Sequence, residues 1–189
     1  MYLFFDTETT GLPENRYAPL SDSDNWPLIV QIAWRQHDEA RDLIAEKDYV
    51  IKPDGFIIPE ESTMIHGITM KRALEEGFDL KPVMKEFADA IDGSKILVAH
   101  NMSFDEKIVG AEFIRENIED RLFEKRNICT MMASTEYCKI PGPYGFKWPA
   151  LSELYKCLFD IEIKETHDAA SDVRICAECF FQLKHLGLV

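Results

Sequence analysis

The hydrophobic pattern changes period once along this chain. Over roughly the first fifty residues the apolar positions recur every second residue; beyond them they follow helical spacing. Residues 2–8, "YLFFDTE", predict a strand that carries Tyr2, Phe4, Asp6 and Glu8 on one side. Residues 12–27 are rich in Pro, Asn, Ser and Asp and predict a loop. Residues 28–36, "LIVQIAWRQ", set Val30, Ile32 and Trp34 on one face of a second strand. A third strand covers 43–52, after the polar turn "HDEAR". Three strands in succession predict an antiparallel meander.

The rest of the chain alternates helix and strand. A loop holds "STMIHGIT" (62–69), and a short helix follows near 69–76. Residues 80–92 bring Val83, Phe87, Ala90 and Ile91 together at helical spacing. "GSKILVAHN" (93–101) reads as a stop, a short buried strand and a turn. A helix over 103–116 runs through Phe104, Ile108, Ala111 and Ile114, with Phe104 assigned to the core. "RNICT" (126–130) predicts a fifth strand, 130–138 a helix, and "PGPYG" a loop. "WPALSELYKCLF" (148–159) is a helix with Leu151, Leu154, Tyr155 and Leu158 on one side. The last helix starts near His167, buries Val173, Cys176, Ala177 and Phe180, and stops at Gly187. No repeat or linker interrupts the pattern, so one domain over 1–189 is expected.

Composition narrows the setting. No run of about 18 apolar residues offers a membrane span. Asp6 interrupts the apolar start, which lacks the basic region of a signal peptide. The five cysteines are odd in number and irregularly spaced, which fits a reduced, cytoplasmic location. Cys176 and Cys179 form a C-x-x-C inside a helical pattern with no second pair, so zinc and redox use are not expected. The net charge of −13 argues against a generic nucleic-acid coat. It leaves room for an enzyme whose acids hold metal: two divalent ions would bring −13 to about −9.

Asp6 and Glu8 pose the chemical question. Two acids on one strand face repel each other, and desolvating them is costly. A divalent cation would resolve this, given further acids from elsewhere. Asp105 and Asp172 are the candidates, each in the first turn of a predicted helix. Acids there also suit the helix dipole, so either one alone has a purely structural explanation. His167 stands five residues before Asp172. An imidazole with pKa near ~6.5 could take a proton from a water held beside it; alone, it is simply a loop histidine.

Three segments together resemble a family. "FDTETTGL" (5–12), "AHNMSFD" (99–105) and "HDAASD" (167–172) are similar, in order and spacing, to the three motifs of the DEDDh 3′–5′ exonucleases. That family includes the proofreading ε subunit of bacterial DNA polymerase III, oligoribonuclease and RNase T. The spacing H-x-x-x-x-D indicates the histidine subclass. The resemblance implies an α/β, RNase H-like fold: a mixed five-stranded sheet, three strands antiparallel, with helices on both faces. It implies that Asp6, Glu8, Asp105 and Asp172 hold two Mg²⁺ or Mn²⁺ ions, with His167 as general base. Oxygen-preferring ions suit such carboxylates. The product would be a nucleoside 5′-monophosphate released from a 3′ end.

The same resemblance assigns Thr7, Thr9 and Leu12 to the terminal nucleotide, with Leu12 as a wedge beside its base. "IHGIT" (65–69) places Ile65 and His66 at the 3′ nucleotide, although Ile65 and Ile68 could equally cover the core. Asn101 ties the second-motif turn to the backbone. Trp148 is either a stacking surface or, more commonly beside a proline, packing. Two features depart from the family. The chain ends at Val189 without the tail by which ε subunits grip their polymerase, so no polymerase partner is expected. Gln31 stands where many relatives carry an acid, and no catalytic meaning is assigned to it.

The leading expectation is a metal-dependent 3′–5′ exonuclease on single-stranded DNA or short oligonucleotides, because an acidic surface favours substrates with few phosphates to neutralise. An exoribonuclease is the alternative within the same chemistry, since sugar choice rests on contacts to the 2′-hydroxyl. An inactive nuclease fold serving as a binding module of a replication or repair assembly is the alternative from another class. Clustered acids without metal would give such a module nothing.

Overall fold

The computed structural model describes residues 1–164 and 166–189. Five strands form one sheet: β1 (Tyr2–Thr9), β2 (Ile29–His37), β3 (Leu43–Val50), β4 (Ile96–Ala99) and β5 (Arg126–Cys129), in the order β3-β2-β1-β4-β5. β1, β2 and β3 pair antiparallel, and β1–β4 and β4–β5 pair parallel. This is the expected mixed sheet, with the meander on one side and the parallel half on the other.

Seven helices are described: α1 (Glu60–His66), α2 (Met70–Glu76), α3 (Leu80–Asp92), α4 (Met102–Glu116), α5 (Thr130–Cys138), α6 (Leu151–Phe159) and α7 (Ala169–His185). Alternation along the strands sends Leu3, Phe5, Ile32 and Trp34 to one face, where they meet Phe87, Ile91, Ile108 and Phe113 of α3 and α4. The opposite face carries Tyr2, Phe4, Ala33 and Val98 against Val173, Cys176, Ala177 and Phe180 of α7. Phe4, Phe5, Phe87, Phe113 and Trp34 are fully buried, each contributing about 1.5–3 kcal/mol. No described helix is long and apolar enough to cross a membrane.

Three expectations need correction. Residues 60–66 form a helix rather than a loop. Pro59 starts it, Glu60 and Glu61 fill its first turn, and Gly67 ends it at φ 72°, a left-handed backbone that glycine adopts without strain. The "PGPYG" segment is a miniature hairpin, with Pro141–Gly142 paired to Gly145–Phe146. Along α4, Ile108 and Ala111 are buried as expected, but Phe104 is only partly buried and Ile114 is exposed. Periodicity gave the face of this helix but not how far the core extends along it.

Candidate active site

The parallel strands β1 and β4 end at one edge of the sheet, and the acids gather there. Asp6 and Glu8 continue the Tyr2–Phe4 side of β1, and both stay half-buried. β4 ends at Ala99, and Asn101, at φ 72° and ψ 44°, turns the chain into α4. That turn places Asp105 in the first turn of α4, 2% exposed. Its Oδ1 accepts hydrogen bonds from the Thr7 backbone N–H at 3.0 Å and the Thr7 hydroxyl at 2.8 Å. Asp172 lies in the first turn of α7, and His167 precedes that helix on an exposed left-handed residue, φ 45°.

Asp6, Glu8, Asp105, Asp172 and His167 all line one cavity of about 540 Å³, with Thr7 and Asn101. Ligand atoms of Glu8, His167 and Asp172 lie within 4.8 Å of one another, close enough to share a cation. Burial pushes the Asp6 carboxyl well above its usual range, and the charges of Asp105, Asp172, Glu8 and Asp168 add to it. Burial raises Glu8 to about 8, reinforced by Asp172, Asp105 and Asp168. Burial also raises Asp105 to about 7, against the two Thr7 hydrogen bonds. Among the described residues no lysine or arginine forms an ion pair with Asp6, Glu8 or Asp105. The donor set is oxygen-rich, which fits hard divalent cations.

Thr9, Leu12, Ile65 and His66, also expected at the substrate, are not in the wall of this cavity. Thr9 is buried, and its hydroxyl donates to the Gly11 carbonyl at 2.6 Å, shaping the turn after β1. Leu12 and Ile65 project into solvent at 81% and 58% exposure, so Ile65 does not cover the core, whereas Ile68 does. His66 is buried, and its Nδ1 accepts the Ile68 N–H at 3.1 Å. Burial lowers its pKa, a Thr9 carbonyl nearby opposes this, and the His167 charge adds to it, which sets His66 at the margin of the site. Its Nε2 faces that carbonyl without reaching hydrogen-bond geometry. Trp148 is 58% exposed and lines the cavity, so it presents a surface rather than packing.

Two residues acquire roles that local sequence did not show. His100 bridges the Thr130 hydroxyl and the Pro149 carbonyl, both at 3.0 Å, tying the second-motif turn to the segment that carries Trp148. The Pro149 carbonyl can only accept, so Nε2 holds the proton, and burial keeps the ring neutral with a pKa of about 4. Gln31, buried opposite Glu8 on β2, donates from Nε2 to Asp48 at 2.8 Å and to Asp168 at 3.1 Å. Its Oε1 accepts the Ala169 N–H at 3.2 Å. Asp168 in turn caps α7 by accepting from the Ser171 N–H. Gln31 therefore pins the start of α7, and with it His167 and Asp172, to the sheet beside Glu8. The aspartate directly before a helical pattern could have signalled the cap. Nothing local could have signalled its tether.

A mixed sheet whose parallel strands end in converging carboxylates places this protein in the RNase H-like class of α/β folds. The chain belongs to the DEDDh exonuclease family, and the family model described as "Exonuclease" matches residues 3–180. A PolC-type DNA polymerase III from Mycoplasmopsis pulmonis is 30% identical over 118 residues, covering 62% of this chain and 7% of that polymerase. E. coli Exonuclease I in complex with a dT13 oligonucleotide superposes with a TM-score of 0.76 at 20% identity, over 97% of this chain and 40% of that one. Exonuclease X in complex with 5′ overhanging duplex DNA gives 0.66 at 23% identity, over 99% and 93%. The chain thus spans a small part of the curated relative and less than half of Exonuclease I.

Proposed function

We propose that this chain is a metal-dependent 3′–5′ exonuclease that releases nucleoside 5′-monophosphates from single-stranded DNA. The observation that carries this reading is the convergence of four acids, from three separated segments, with His167 around one cavity. The DNA bound to Exonucleases I and X supports a DNA substrate.

In this reading Asp6, Glu8, Asp105 and Asp172 hold two Mg²⁺ or Mn²⁺ ions. When bound, such ions lower the pKa of an attacking water and stabilise an in-line displacement at phosphorus. His167, exposed at the cavity wall, takes the proton from that water. The Thr7 hydrogen bonds hold Asp105 in one orientation, and Gln31 fixes the approach of α7. Trp148, exposed in the cavity wall, offers apolar surface for the base of the terminal nucleotide.

The test is degradation of 5′-labelled single-stranded DNA and RNA of matched sequence in Mg²⁺, in Mn²⁺ and in EDTA. A metal-dependent ladder that shortens the DNA from its 3′ end is the expected result. Faster loss of the RNA would make the chain an exoribonuclease. Intact substrates in every lane, with Mn²⁺ still bound, would make it a binding module.

A further inference from the structure

A second cavity, of about 250 Å³, lies between α7 and the end of the β2–β3 hairpin. Its far wall stands away from the candidate active site, while Arg174 is two residues past Asp172. Along α7, Phe181 is nine residues past Asp172, about 13 Å. Along β2, Arg35 is four residues past Gln31, about 13 Å as well. Its chemistry is the reverse of the candidate active site. Arg35 and His37 of β2, Arg41 of the β2–β3 turn and, from far along the chain, Arg174 of α7 reach it, with Glu178 and Phe181 completing the wall. For three arginines and a histidine to share one small cavity is unusual in a chain of net charge −13.

Two of these side chains carry unmet polar atoms. Arg35 Nε and His37 Nε2 are buried with no hydrogen-bond partner. His37 is only 8% exposed. Its Nδ1 lies 3.0 Å from the Arg41 carbonyl, which can only accept, so Nδ1 carries the proton and Nε2 is bare. Two carboxylates offset part of the charge. Glu46 pairs with Arg35 Nη1 at 3.3 Å, and Glu178 accepts from the Tyr155 hydroxyl at 3.1 Å. Arg41 lies over the Phe181 ring at 5.5 Å, and among the described residues neither Arg41 nor Arg174 has a carboxylate partner within ion-pair distance.

We propose that this cavity is a phosphate-binding site, separate from the catalytic carboxylates. Planar guanidinium forks match the oxygens of phosphate, and donors arriving from several directions suit a tetrahedral anion better than a flat carboxylate. The phosphate has two chemical sources: a free nucleoside monophosphate, or a backbone phosphate of a nucleic-acid strand. The site does not depend on the exonuclease reading.

The test is calorimetric titration in EDTA at low salt, where no divalent ion can draw anions to the candidate active site. The probes are inorganic phosphate, thymidine 5′-monophosphate, an oligo-dT strand and, as control, acetate. They are compared on the wild type and on Arg41→Ala/Arg174→Ala. Both arginines are exposed, so the double variant keeps the fold, which melting checks. Inorganic phosphate binding the wild type, and at least tenfold more weakly the variant, is expected. A larger loss for thymidine 5′-monophosphate assigns the site to a free nucleotide, and a larger loss for oligo-dT to a strand. No phosphate binding, equal binding by both proteins, or acetate binding as well as phosphate overturns the proposal.

Discussion

Helix α4 carries two buried acids that make an instructive pair. Asp105 and Glu112 are seven residues apart, about 10 Å along one face of the helix, and are 2% and 1% exposed. Each accepts a backbone N–H from the meander: Asp105 from Thr7 at 3.0 Å, Glu112 from Ile29 at 3.3 Å. They differ in how the charge is met. Glu112 has Arg115 one turn further on, at 2.8 Å, and that guanidinium also donates to the Ser23 and Trp26 carbonyls. Asp105 has a threonine hydroxyl and three acidic neighbours that share its cavity. Glu112 is met by a cation of the chain itself; Asp105, in the proposed function, leaves room for one from solution.

Removing an acid from the candidate site should have the largest effect. Asp6→Asn and Asp172→Asn should abolish measurable turnover while the protein stays folded, as circular dichroism and melting would show; near-wild-type rates would sink the metal assignment. His167→Ala should keep Mn²⁺ stabilisation but slow the reaction by about 10²–10⁴, the usual contribution of a general base. If Mn²⁺ no longer raises its melting temperature, His167 is a metal ligand instead, as its closeness to Glu8 and Asp172 permits.

At the compensated end the outcome reverses. Arg115→Met leaves Glu112 charged, buried and unpaired, and should cost about 3–5 kcal/mol of stability in denaturant titration with activity per folded molecule unchanged. Arg115→Met/Glu112→Met should recover most of that loss. Full stability in the single variant would show that Glu112 is already neutral.

The smallest effect is on pH. Glu8 and Asp105 rise from 4.5 and 3.8 to about 8 and 7, so the folded state holds protons that the unfolded chain has released. Their effect is absent below about pH 4 and destabilises the fold increasingly up to about pH 8. In EDTA the melting temperature should fall across that window, less so in Asp6→Asn, and Mn²⁺ should flatten the fall. A flat wild-type curve in EDTA would mean that the cluster is neutralised from within.

What the sequence revealed follows the reach of its signals. β1, β2 and α7 carry clean periods, and the acids of the site sit at element ends, so both were legible before any coordinates. α1 was not, because "STMIHGIT" has the composition of a loop and its helix is set by Pro59 and Gly67 at its ends. Trp148 stayed open between a stacking surface and packing, because the surface around it depends on the distant turn that His100 holds. The arginine cavity was invisible for the same reason: Arg35 and Arg174 meet only once α7 lies across β2. Glu112 gave no signal at all, since an acid in mid-helix normally faces water.

Gln31 has a consequence for the order of assembly. Its side chain joins β2 to Asp48, 17 residues away, and to Asp168 and Ala169, 137 and 138 residues away. Closing so long a loop comes after the local hairpins and helices have formed. The third motif therefore reaches its place beside Glu8 only when β1, β2, β3 and α7 are all in register. During refolding, sheet and helix signals should recover before the ability to cut does, because a chain that is almost native still has an open active site.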